Sequence, residues 1–75
     1  MSSEFENKMY SVEIEYGEIL MASKMLGSAI NQNDPFRAMQ ALAEINKAVM
    51  KAMHEAIDAQ EEYLKPIKQD AMRIA

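Results

Sequence analysis

DPFRAMQALAEINKAVMKAMHEAIDAQEEYL, residues 34–64, decides the fold. Asp34 suits the N-cap of a helix and Pro35 its first turn, where the missing N–H is not needed. From Ala38, alternate steps of four and three give Leu42, Ile45, Val49, Ala52, Ala56, Ala59 and Tyr63, a coiled-coil-like seam. Beside it runs a second apolar row of Met39, Met50, Met53, Ile57 and Leu64. A face this wide can touch more than one neighbouring helix. Arg37, Gln40, Glu44, Lys47, Lys51, Glu55, Asp58, Glu61 and Glu62 form the opposite, solvated side, with Lys51/Glu55 and Glu61/Lys65 at helix-supporting spacing.

Upstream, Ser3 and Glu6 make a capping-box pattern, so a first helix starts near Glu4 and runs to about residue 31. Its stripe is Phe5, Met9, Val12, Tyr16, Ile19, Ser23, Leu26 and Ile30, with Ser23 the one polar intruder. Val12, Ile14 and Tyr16 also alternate with polar residues as a strand would. A lone strand has nothing to pair with here, so helix is the reading, with an irregularity expected at Gly17. Asn31 to Pro35 punctuates the chain, and a short polar connection between long helices makes them antiparallel neighbours. Pairing the arms about Asn33 brings Glu13, Glu15 and Glu18 near Lys47, Lys51 and His54. Pro66 ends or kinks the second helix, and Ile67, Ala71 and Ile74 make a small row on a short third helix, about 66–73. The expected fold is all-α: one domain over residues 1–75, a helical hairpin (about 4–31 and 35–64) with a short C-terminal helix, oligomerising into a bundle.

A chain of 75 residues buries only about 60% of its unfolded surface and needs a staple. With no cysteine there is no disulfide, thiolate metal site or thiol nucleophile. Oligomerisation is the staple left, and a 49% hydrophobic composition points the same way. A net charge of -4 argues against duplex nucleic acid, whose binders offer a basic face. No apolar run approaches the ~20 residues that cross a bilayer, and the N-terminus lacks a signal-peptide pattern. The expected setting is cytoplasmic, in a bacterium or a phage-infected host cell.

His54-Glu55-Ala56-Ile57-Asp58 is half of a metalloprotease helix, but the second histidine is absent. Pairing of His54 with Glu13 or Asp58 is the simpler reading. A di-iron bundle needs Glu-x-x-His pairs, which do not occur. No nucleophile has a base partner and no Gly-rich phosphate loop exists, so neither catalysis nor a metal or other cofactor is expected. The methionines, among them Met21, Met25, Met39, Met50, Met53 and Met72, fill a core or make an adaptable protein-binding surface. The expected oligomer interface is Leu42, Ile45, Val49, Met50, Met53 and Ile57. Tyr10 and Lys24 are the candidate ligand residues: a ring to stack on a base and an ammonium to meet a phosphate. Contributed by different subunits, they would make a pocket at an interface.

The segment from Leu42 to Ala52, preceded by Arg37, resembles the second helix of the hairpin domain of phage anti-CBASS proteins, small oligomeric sponges for the cyclic oligonucleotide signals of bacterial immunity. In that family a tyrosine near the N-terminus and a lysine on the first long helix hold the cyclic nucleotide; Tyr10 and Lys24 are the nearest candidates. The short motif that follows that tyrosine in the family is absent here. A hairpin about Asn33-Asp34-Pro35 is also similar to the needle subunits of type III secretion systems, which assemble as helical filaments. The resemblances imply a phage anti-defence protein that sequesters a cyclic nucleotide without turnover or, as the alternative, a structural or interaction subunit. That subunit would be a filament protein, or an adaptor or inhibitor offering its Met-rich face to a partner protein.

Overall fold

The computed structural model describes the backbone of residues 3–74 and the side chains of residues 3–66. It is a hairpin of two helices, α1 (Ser3–Asn31) and α2 (Pro35–Ile74), packed against each other along their length, with no strand among the described residues. The alternation at Val12, Ile14 and Tyr16 is helical, and α1 passes Gly17 without a break. Val12 turns toward α2 while Ile14 and Tyr16 stay exposed. Local alternation arises here because the apolar residues of α1 surround it, whereas those of α2 gather on one side.

The turn joins two capping devices with no residue between them. Asn33 adopts the left-handed conformation (φ 52°). The Asp34 N–H donates to the Ala29 carbonyl at 2.9 Å and the Asn33 N–H to the Ile30 carbonyl at 3.1 Å, which closes α1 with a Schellman motif. Asp34 then caps α2, its Oδ1 accepting from the Arg37 N–H at 3.1 Å while its carbonyl accepts from the Ala38 N–H at 3.0 Å.

Between the arms, small residues do the packing. On α1 the inward columns are Phe5, Val12, Ile19, Leu26 and, three residues on from each, Lys8, Glu15, Ala22, Ala29. On α2 they are Ala38, Ile45, Ala52, Ala59 and Ala41, Ala48, Glu55, Glu62. Each column repeats every seven residues, the period that keeps two helices in register. Ala29 and Ala41 are fully buried, and Ala22, Ala48 and Ala59 nearly so; among the described residues no large side chain is fully buried. Five alanine methyls at about 0.8 kcal/mol each contribute roughly what two buried leucines would. The core is thin.

This seam differs from the stripes that large apolar residues mark in the sequence. Phe5, Val12, Ile19 and Leu26 enter it, as do Ala38, Ile45, Ala52 and Ala59; Met9, Tyr16, Ser23, Ile30, Leu42, Ala56 and Tyr63 remain exposed. Methyl-sized side chains let helix backbones approach closely, so alanine wins the places between the arms and the bulkier residue beside it stays outside.

Pro66 sits inside α2 and does not end it: the helix runs on to Ile74 as one 40-residue element, and among the described residues no separate third helix follows. Proline removes one i→i−4 bond at a cost of ~3 kcal/mol, and the helix-forming residues on either side carry the helix past it. With 29 residues in α1, α2 projects about 16 Å beyond the start of α1 at ~1.5 Å per residue. The apolar row expected at Ile67, Ala71 and Ile74 and the side chain of Met72 lie outside the described residues. The hairpin measures 61 × 19 × 12 Å, with a radius of gyration of 17.8 Å where a globular chain of this length has about 11 Å.

Candidate interaction surface

The seven-residue columns divide the hairpin into two unlike faces. In an antiparallel pair, the residue after each inward Lys8, Glu15, Ala22 and Ala29 lies on the same side as its counterpart on α2. That places Met9, Tyr16, Ser23 and Ile30 beside Leu42, Val49, Ala56 and Tyr63. The Phe5 and Tyr63 rings meet across the open end, centroids 5.7 Å apart and planes at 49°. Next to them is a shallow groove of about 550 Å³ lined by Met9, Val12, Met53, Ala56, Ile57 and Ala59, with Gln60 its one polar side chain besides the Tyr63 hydroxyl. Tyr16 is 59% exposed and Tyr63 54%.

The other face carries the charge. A groove of about 450 Å³ has Ala22 and Ala48 as its floor and Glu18, Gln40, Glu44, Lys47 and Lys51 on its walls, with Met21 and Met25 between them. Among the described residues three cross-helix ion pairs span this side: Lys51 Nζ to Glu15 Oε1 at 3.5 Å, and Lys8 Nζ to Asp58 Oδ2 at 3.5 Å and Glu55 Oε2 at 3.8 Å. The Glu15 side chain is 9% exposed, and its Oε2 is buried without a hydrogen-bond partner. At the open end the Glu62 carboxylate accepts a 2.7 Å hydrogen bond from Lys65 and holds the Lys65 ammonium above its ordinary pKa of 10.5.

Of the expected acidic-to-basic pairing, Glu15 with Lys51 forms, and His54 Nε2 lies 3.9 Å from Asp58 Oδ2, one of its two expected partners. Lys51 reaches across the hairpin to Glu15, and Lys65 bonds Glu62, three residues before it. The expected interface residues divide by face. Leu42 and Val49 lie on the apolar face, Ile45 turns into the seam, Met53 and Ile57 line the groove, and Met50 is exposed and borders neither groove. Tyr10 and Lys24 both stand on the outer side of α1, exposed, and neither borders a groove described above. They are fourteen residues apart, about 21 Å along the axis at ~1.5 Å per residue.

Sequence reasoning missed Lys8 as an inward residue and missed the alanine columns. Both have a signal: Ala22 with Ala29, and Ala41 with Ala48, repeat at seven-residue spacing in phase with Lys8 and Glu15 on α1 and with Glu55 and Glu62 on α2. Among the described residues no group of three or more His, Cys, Asp and Glu is arranged to hold a metal ion, and no helix is long and apolar enough to cross a membrane. Comparison with protein-family models, curated proteins and solved structures returns no match to this chain.

Proposed function

We propose that this chain is a non-enzymatic interaction protein whose working part is the apolar face of the hairpin. One observation carries the reading: Met9, Tyr16, Ile30, Leu42 and Tyr63 are about half exposed or more, while Ala22, Ala29, Ala41, Ala48 and Ala59 are buried. Exposing methionine, tyrosine and leucine forfeits roughly 1.5–3 kcal/mol of burial per large side chain, and a helical surface of this kind regains it when another surface covers it. Capture of associated protein from cells with wild-type chain and with a Tyr16→Glu/Tyr63→Glu variant tests it. Loss of one stoichiometric species, this chain or another, is the expected result; identical behaviour of the two would overturn the reading.

The sequestration of a cyclic nucleotide implied by the anti-CBASS resemblance is the second reading. What favours it is that Tyr10 and Lys24 are both left available: the ring is 64% exposed and Lys24 makes no ion pair among the described residues. At about 21 Å apart they cannot hold one small ring from a single chain, so this activity belongs to an assembly. A melting temperature raised by a cyclic di- or trinucleotide, and unmoved in Lys24→Ala, is the expected result. Indifference of the wild type to every such nucleotide would remove it.

A further inference from the structure

We infer that the occupant of the apolar face is a second copy of this chain, laid hairpin against hairpin as a four-helix bundle; the inference rests on the interaction reading above. The chain exposes 6089 Å², whereas a globular monomer of 8.5 kDa exposes about 4,700 Å². Part of the excess is the projecting end of α2, and the rest is surface that a compact fold would have covered. At about 200 Å² for a large side chain, the exposed parts of Met9, Tyr16, Ile30, Leu42 and Tyr63, with Met53 and Ile57 of the adjoining groove, amount to roughly 750 Å². That exceeds the largest patch of an ordinary monomer, about 300–600 Å², and matches the ~800 Å² each partner gives to a stable complex.

The face runs from Met9 and Tyr63 at the open end to Ile30 and Leu42 at the turn, repeating every seven residues on both helices. Two helices of that length with that repeat cover it from end to end. A second copy has both by construction, and in a twofold pairing the same patch serves on both partners.

At a net charge of -4, two copies repel wherever their acidic sides meet. The rows that build this face, from Phe5 to Ile30 and from Ala38 to Tyr63, contain no charged residue, Ser23 being their most polar member. The carboxylates and ammonium groups of the opposite groove stay in water when the apolar faces meet, as in other bundles.

The absence of cysteine gives a direct test in the full chain. Light scattering across a concentration series is combined with maleimide labelling of two single-thiol variants. Ser23→Cys places a small thiol on the apolar face, and Met21→Cys places one on the charged side, where Met21 is 74% exposed. The expected result is twice the chain mass, a melting temperature that rises with concentration, and labelling at least tenfold slower at position 23 than at 21, the difference vanishing on dilution. A Tyr16→Glu/Val49→Glu variant should need at least a hundredfold more protein to pair, and circular dichroism shows whether its helices survive. A helical monomer at every concentration, a trimer or open polymer, or equal labelling at the two positions would overturn the inference. A monomer that still loses a captured partner through Tyr16→Glu/Tyr63→Glu overturns the second-copy inference alone; one that captures nothing takes the interaction reading with it.

Discussion

Lys51 reaches across the hairpin to the buried carboxylate of Glu15, its Nζ 3.5 Å from Oε1, and leaves Oε2 sealed in the seam with no donor. The Lys51 side chain is 57% exposed, so the pair returns only ~0–1 kcal/mol. Burial of a carboxylate oxygen without a partner costs more than that. Glu15→Ala continues the column of Ala22 and Ala29, and should raise stability by about 1 kcal/mol in urea denaturation at neutral pH. A loss of 1 kcal/mol or more would show that the pair holds the arms together.

The turn separates the requirements of its two residues. Asn33 is left-handed, a conformation that costs a β-branched residue ~1–2 kcal/mol and glycine nothing, so Asn33→Val should destabilise by that amount while Asn33→Gly is neutral or better. Asp34→Ala removes the acceptor for the Arg37 N–H and should cost about 1 kcal/mol. Thermal melts of the three variants at one protein concentration check both statements.

Ala48 is 3% exposed between the arms, where a larger side chain has nowhere to go. Ala48→Leu should cost ~2–3 kcal/mol by forcing the helices apart, whereas Ala43→Leu, on the outer side of α2, should stay within ~0.5 kcal/mol. The contrast is read by chemical denaturation, and equal effects would contradict an alanine seam.

A Cβ added at Gly17 or at Gly27 meets no atom within 4 Å. Neither glycine serves a close approach within the hairpin, so Gly17→Ala and Gly27→Ala should each stabilise by up to ~1 kcal/mol and add when combined. Melting the single and double variants tests this. Stabilisation at 27 but loss at 17 would mean that another surface presses against α1 at Gly17 in the assembled protein.

The hairpin itself was legible because its signals are local: Asp34-Pro35 opens a helix, and the apolar period of residues 38–63 is helical. Asp34 also announces its role, since few other residues cap so well. The seam was not legible from bulk. Met9, Tyr16, Leu42 and Tyr63 dominate any hydrophobic pattern, yet the arms close on Ala22, Ala29, Ala41 and Ala48. Hydrophobic strength marks what a residue gains on burial and says nothing of which neighbour buries it. Pro66 was misleading for a related reason: its local penalty is real, but a helix of this length absorbs it.

Because Asn33 and Asp34 close one helix and open the next without slack, the turn fixes the clocking of α2 as well as its direction. One residue inserted there would rotate the whole second arm by about 100°. Gln40 and Lys47 would then stand where Ala41 and Ala48 now lie, and Arg37, Glu44, Lys51 and Asp58 where Ala38, Ile45, Ala52 and Ala59 do. Two residues at the bend thus decide which side of a 40-residue helix the rest of the molecule presents.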